Sequence, residues 1–272
     1  MMRRLRTVNV LPTMFTLGNL VCGFFAIVVA ARVDVPDPRM TDPTDWTNCM
    51  ISACLILLAM VFDALDGQLA RLAGTDSDFG AQLDSLCDVV SFGVAPAFLL
   101  VKICPDFTYL HREQVWLIAA AFVACAALRL ARFTVETTED DDHQTFRGLP
   151  SPAAAGAIAS FAIMFYTLRR AEGDLRLGPQ ADDLIQAILP FYTLLIALLM
   201  VSSVPYPHPV NQWFRGNRSF AHVVALVFAI LLVAFFFTYA FPLVMTVFIA
   251  VPAVQWVYSG LVRRRSGNRF WT

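Results

Sequence analysis

The chain has 272 residues, of which 58% are hydrophobic and only 15% charged, and its mean hydropathy is +0.62. Soluble domains run to about a quarter charged and under half apolar, and disordered chains lack large apolar residues, so neither class fits. Twenty Lys and Arg against 21 Asp and Glu leave a net charge of −1, with no global field to attract nucleic acid.

Apolar runs of about 20 residues, the length that crosses about 30 Å of hydrocarbon, recur about eight times. In chain order they are Met14–Ala31, Cys49–Ala70, Leu83–Ile103, Val115–Arg132, Ala153–Leu168, Leu184–Val204, Phe220–Thr238 and Pro242–Val262. Leu, Ala and Phe dominate without sustained alternation, which predicts helices rather than a transmembrane barrel. The expected fold is therefore all-α: one polytopic membrane domain over 1–272, a bundle of about eight transmembrane helices. The link from Thr238 to Pro242 is so short that the last two spans should form a tight hairpin. The first run reads as a retained span, because the core of a signal peptide is usually shorter. Pro96 should kink the third span. Leu149-Pro150-Ser151-Pro152 should fix the entry of the fifth, since proline suits a helix start.

Arginine placement sets the expected orientation. Arg3, Arg4 and Arg6 precede the first span, and Arg71, Arg129, Arg132, Arg147, Arg215 and Arg218 lie in or beside the even-numbered connections. Arg263, Arg264, Arg265 and Arg269 follow the last. The opposite side carries Arg32, Arg39, Lys102, Arg112, Arg169, Arg170 and Arg176, diluted by Asp34, Asp37, Asp42 and Asp45. This excess places both termini in the cytoplasm of a cell (inner) membrane. The six cysteines form no CxxC pair and no zinc spacing, so they read as reduced, small hydrophobic residues. Glu139-Asp140-Asp141-Asp142 is the one charge run, a solvated loop face.

The informative stretch lies at the second and third spans: Asp63, Asp66, Gly67, Ala70 and Arg71, then Gly80, Asp84 and Asp88. Charges in or at the ends of spans cost several kcal/mol by most scales and rarely face lipid, so four carboxylates there require compensation. Asp63, Asp66 and Ala70 fall within about one third of a helix circumference, with Gly67 on the same side and Arg71 extending that face. Gly80, Asp84 and Asp88, spaced by four, form one stripe on the next helix. The short polar link from Leu72 to Phe79 makes the helices antiparallel neighbours, so the two acidic stripes can meet. One or two hard divalent cations would relieve the repulsion, and oxygen-only ligation favours magnesium, manganese or calcium over zinc. Gly67, Ala70 and Gly80 leave room for a ligand beside the backbone. Arg71 offers a planar donor fork for phosphate oxygens. Taken singly, each residue is better read as a helix cap, a packing glycine or a topology charge. Four registered carboxylates have no packing rationale, and together the set describes a site for a metal with a nucleotide or pyrophosphate.

These residues match D-x-x-D-G-x-x-A-R-x8-G-x-x-x-D-x-x-x-D at all eight fixed positions, and the chain thereby resembles the CDP-alcohol phosphotransferase family of integral membrane enzymes. The resemblance implies a reaction in which an alcohol displaces CMP from a CDP-linked partner. It also implies that Asp63, Asp66 and Asp84 hold divalent metal, magnesium or manganese, with Asp88 a shared ligand and the general base. Gly67, Ala70, Arg71 and Gly80 would line the CDP pocket, and a homodimer is implied likewise. Four stretches resemble the bacterial-type phosphatidylserine synthases of that family, which use CDP-diacylglycerol and L-serine. These are Leu11-Pro-Thr-Met-Phe-Thr-Leu-Gly-Asn19, Leu83-Asp-Ser-Leu-Cys-Asp-Val-Val-Ser-Phe-Gly-Val-Ala-Pro96, Ala127-Leu-Arg-Leu-Ala-Arg-Phe133 and Phe146-Arg-Gly-Leu-Pro-Ser-Pro-Ala-Ala-Ala155. The similarity covers 11–168, the expected catalytic core, while 184–262 would add C-terminal helices. Thr13 stands where many relatives have Asn, and the loop 134–144 is unusually acidic.

A serine substrate brings a carboxylate, and Arg129, Arg132 and Arg147 all fall on the expected cytoplasmic side. One or more could bind it, or they could serve topology and lipid phosphates instead. Arg129 and Arg132, three apart, share a helix face. Ser91 and Ser151 are further polar candidates beside Gly and Pro breaks. Asn19 could contact the nucleotide or be a buried polar helix contact. Two competing readings follow from the same residues. One keeps the chemistry with glycerol 3-phosphate, inositol phosphate or choline as acceptor. The other is a cation transporter with the acids as its ion site, but it leaves Gly67, Ala70, Arg71 and Gly80 unexplained.

Overall fold

The computed structural model describes residues 10–33, 43–73, 78–104, 112–136, 146–170, 179–206 and 237–267. Side chains are described over 13–33, 44–69, 79–104, 113–134, 148–167, 187–206 and 238–259. The elements in order are α1 (Val10–Ala31), α2 (Pro43–Ala73), α3 (Asp78–Asp88), a π-helical turn (Val89–Val94), α4 (Ala95–Ile103), α5 (Arg112–Glu136), β1 (Phe146–Arg147), α6 (Ser151–Arg170), α7 (Pro179–Val201), β2 (Pro205–Tyr206) and α8 (Phe237–Gly267). The protein is an all-α polytopic membrane protein.

Five described stretches are long and apolar enough to cross a membrane: Thr13–Ala31, Thr44–Leu69, Phe79–Ile103, Glu113–Thr134 and Thr238–Ser259. The expected fifth and sixth spans appear as α6 and α7, with shorter described apolar parts, Ser151–Thr167 and Ala187–Val201. The expected seventh span, Phe220–Thr238, lies almost wholly outside the described residues. The hairpin expected at Thr238–Pro242 is corrected: this stretch is the first part of α8. It holds no glycine or polar turn pair, and Pro242 lies inside the helix rather than ending it.

Helices pack in a membrane without a hydrophobic force between them, so close approach of small residues and buried hydrogen bonds must do it. α1 packs most extensively on α2. Cys22, Ala26 and Ala30 recur every four residues on α1 and are buried, as are Cys49, Ala53, Ile56 and Ala59 on α2. Across this seam Ser52 donates to the Ala26 carbonyl at 2.9 Å. α6 lies at the centre, with every residue from Ala154 to Ser160 buried. It contacts α2 on one side and α8 on another, while α5 packs on α7.

The two short strands tie the entry of α6 to the exit of α7. β1 and β2 pair antiparallel, with Phe146 opposite Tyr206 and Arg147 opposite Pro205. Gly148 follows with φ of +88°, and a Cβ there would collide with the Met200 carbonyl oxygen, so only glycine fits. Its N–H donates to the Val204 carbonyl at 2.9 Å, and the Leu149 N–H to that of Leu199 at 3.1 Å. α6 starts at Ser151 with Pro152 second, as the proline pattern predicts.

In the third span the irregularity falls before Pro96 rather than at it. The Ala95 N–H reaches back to the Val90 carbonyl, a wider turn than the α-helix makes. Pro96 then occupies the first turn of α4, where its missing N–H is tolerated.

Candidate active site

The site forms where the end of α2 and the whole of α3 meet the flank of α1. Asp63 and Asp66 come from α2, and Asp84 from α3. One carboxylate oxygen from each lies within 4.8 Å of the others. The two acidic stripes therefore do converge. Asp88 lies one turn beyond Asp84 and is buried, and its charge interacts with those of Asp63, Asp84 and Asp66.

Helix α1 forms the wall that both stripes share, since it packs against α2 and α3 alike. The Thr16 hydroxyl bonds to Asp66, as does the Gly67 backbone N–H. The Asn19 amide Nδ2 donates to Asp88 Oδ1 at 3.0 Å. Ser91, in the π-helical turn, donates its hydroxyl to the Asn19 carbonyl at 3.0 Å. At Gly23 a Cβ would collide with Ser91, so the two backbones meet at glycine distance. Thr16, Asn19 and Gly23, spaced by three and four, share one face of α1.

Opposite α1 stands α5. Arg129 is part-buried, and its guanidinium donates through one terminal nitrogen to the Ser151 hydroxyl at 2.7 Å. The charges of Asp88 and Asp63 reach it. The structure thus joins Arg129 with Ser151, and Arg129 lies within electrostatic reach of Asp88 and Asp63. Arg132 is part-buried one turn further along α5. Gly80 lies on α3 at the near end of the acidic stripe. Ala70 and Arg71 continue the α2 backbone, and Arg147 sits in β1, but the side chains of all three lie outside those described. All six cysteines are free thiols.

Among the described residues, four buried side-chain polar atoms have no hydrogen-bond partner: Asp66 Oδ2, Asp84 Oδ1, Asn19 Oδ1 and Arg129 Nε. Buried unsatisfied groups cost about 1–3 kcal/mol each, more when charged, and call for an explanation. Two of the four are carboxylate oxygens from the two stripes that converge. An all-oxygen donor set with orphaned lone pairs fits a hard divalent cation. Of the α1 face, Asn19 was singled out from sequence, but Thr16 and Gly23 were not. Their signal was present, as polar and small residues at helical spacing inside an apolar span.

A family model for CDP-alcohol phosphatidyltransferase matches residues 9–200, and the chain belongs to that family. At closer range it is similar to named members. It is 38% identical over 191 residues to the CDP-diacylglycerol--serine O-phosphatidyltransferase of Methanocaldococcus jannaschii, covering 66% of this chain and 81% of that one. It is 33% identical to the archaetidylserine synthase of Methanothermobacter thermautotrophicus, over 72% of this chain and 69% of that one. It is 29% identical to a CDP-diacylglycerol--serine O-phosphatidyltransferase of Helicobacter pylori, over 72% and 71%.

Proposed function

We propose that the protein transfers a phosphatidyl group from CDP-diacylglycerol to L-serine, giving phosphatidylserine and CMP. The observation that carries this is the convergence of Asp63, Asp66 and Asp84 in a chain whose named relatives share serine as acceptor. Within the family, the transporter reading of the acids is set aside.

Asp63, Asp66, Asp84 and Asp88 are the proposed ligands for magnesium or manganese, one ion or two, with calcium an alternative occupant. When bound, the divalent metal supplies Lewis-acid polarisation of the phosphate and stabilises charge on departing CMP. Gly67, Ala70, Arg71 and Gly80 form the CDP pocket: the small residues leave room beside the backbone, and Arg71 donates to phosphate oxygens. In the transfer, the serine hydroxyl oxygen forms a bond to the lipid-side phosphorus while the bond from that phosphorus to the CMP oxygen breaks. Asp88 accepts the serine hydroxyl proton.

Arg129 is the proposed partner of the serine carboxylate. Ser151 occupies one of its donors, which fixes the guanidinium plane and leaves others for a substrate. Arg132, Arg147, Ser91 and Ser151 are the further residues proposed for serine binding. The arginine bias supports cytoplasmic termini and a cytoplasmic active site in the cell (inner) membrane. The lipid tails stay in the bilayer, and the working unit is a homodimer. Residues 11–168 form the catalytic core of the membrane domain, with 184–262 adding C-terminal helices.

The test is CMP release by purified protein given CDP-diacylglycerol and magnesium or manganese. Serine, glycerol 3-phosphate, inositol phosphate and choline are compared as acceptors. Release driven by serine above the rest is the expected result, and release driven by another acceptor would reassign the substrate.

A further inference from the structure

The proton-accepting carboxylate must be aimed, and a hydrogen bond from another helix reaches it. We propose that Asn19 is the positioning residue for Asp88, and that Ser91 holds Asn19 in turn, so that α1 sets the direction of the proton acceptor. This rests on the role proposed above for Asp88.

Asn19 is completely buried within an apolar span, where an unpaired amide would cost about 1–3 kcal/mol. Its Nδ2 donates to Asp88 Oδ1 at 3.0 Å, across 69 positions in the chain. The amide NH2 faces the carboxylate, and Asn19 Oδ1 on the other side has no hydrogen-bond partner. The bond to Oδ1 fixes the rotation of the carboxylate and leaves Oδ2 to take the proton.

Asn19 is held from its other side. Ser91 donates to its backbone carbonyl, so two side chains three positions apart on one strand of chain grip a single residue of α1. The π-helical turn starts directly after Asp88, and this wider turn sets the register in which Ser91 meets α1. Gly23, one turn beyond Asn19, allows the backbone approach that these short bonds require. Thr16, one turn before it, bonds to Asp66 at the next level of the site. The α1 face is thus a rail along which the acidic groups are set, with Asn19 at its middle.

The experiment compares Asn19→Leu, which keeps the shape and removes the donor, with Ser91→Ala and Asp88→Asn in purified full-length protein. Turnover, both Michaelis constants and equilibrium binding of CDP in magnesium are measured. Asn19→Leu is expected to lower kcat by about tenfold to a hundredfold, the range for groups that orient a ligating side chain. Both KM values and CDP affinity should stay within about twofold. Ser91→Ala should act in the same direction but less. In the Asp88→Asn background, Asn19→Leu should add no further loss, because it acts through the missing carboxylate. A raised KM for CDP-diacylglycerol and weakened CDP binding at normal kcat would overturn the proposal and make Asn19 a nucleotide contact. Additive losses in the double variant would overturn it as well. If Asn19→Leu does not fold, Ser91→Ala alone decides: a lower kcat with unchanged KM supports the brace, and unchanged kcat refutes it. Near-normal turnover of Asp88→Asn is a different failure, that of the Asp88 role itself.

Discussion

The stretch Phe79–Ile103 and the stretch Thr238–Ser259 are alike in hydropathy, yet 61% of the 18-residue apolar core of the first is buried within the protein and only 11% of that of the second. Leu243, Val247, Val251, Val254 and Val257 on α8 remain exposed within the protein, a face suited to lipid. Besides its packing on α6, α8 is tied to the bundle by Tyr192 with Thr246 at 3.1 Å and by the Tyr206 hydroxyl donating to the Ile249 carbonyl at 3.1 Å. The α3–α4 stretch instead carries Asp84, Asp88 and Ser91, and each of these polar groups needs protein around it. In a bilayer apolar surface is as comfortable against lipid as against protein, so polar and small residues decide which helix is central.

The comparison is broken most severely at Asp88. Asp88→Asn should lower kcat by about a hundredfold to ten-thousandfold with little change in CDP binding, as loss of a general base does. Steady-state CMP release and equilibrium CDP binding on the same preparation check this. Near-normal turnover would remove the base assignment.

Arg129 comes next. Arg129→Ala should raise the KM for serine by about tenfold to a hundredfold, the value of a charge-assisted hydrogen bond, while the KM for CDP-diacylglycerol moves far less. Equal rises for both substrates would argue that Arg129 holds phosphate or merely structure. Gly23→Val should force α1 away from Ser91, lowering both thermal stability and turnover by loss of the close approach. Its melting temperature and kcat should fall together.

The smallest effect belongs to a buried contact that holds α8 to the bundle. Burial pushes the Tyr206 hydroxyl up to about 12, so it remains a donor to Ile249 at any working pH. Tyr206→Phe should cost about 1 kcal/mol of stability and leave turnover unchanged, as measured by unfolding in detergent and by CMP release. A large loss of turnover would show that α8 is coupled to the site, against the contrast drawn above.

The acidic site was legible because its spacing is local. Asp63 with Asp66, and Gly80 with Asp84 and Asp88, lie on single helices, and one short link brings the two helices together. Spacing could not show the bonds between distant segments. Asn19 with Asp88, Thr16 with Asp66 and Arg129 with Ser151 depend on how helices are placed, although each residue occupies a helical position that marks a face. The π-helical turn was visible only as a proline expected to kink its own helix, because an irregular turn can be taken up several residues before the proline that provokes it. The misplaced hairpin at Thr238–Pro242 has a similar origin. Hydropathy marks where apolar runs lie, but a proline at the end of one does not by itself end a helix, and Pro242 lies inside α8.

The central claim is that this acidic site joins serine to the phosphatidyl group. Its most direct test is mass spectrometry of lipid formed by purified protein from CDP-diacylglycerol and isotope-labelled serine in magnesium or manganese. The expected result is phosphatidylserine carrying one labelled serine, formed in equal amount with CMP and lost on chelation or in Asp63→Asn. Labelled lipid that persists under chelation, or CMP released without any labelled lipid, would contradict it.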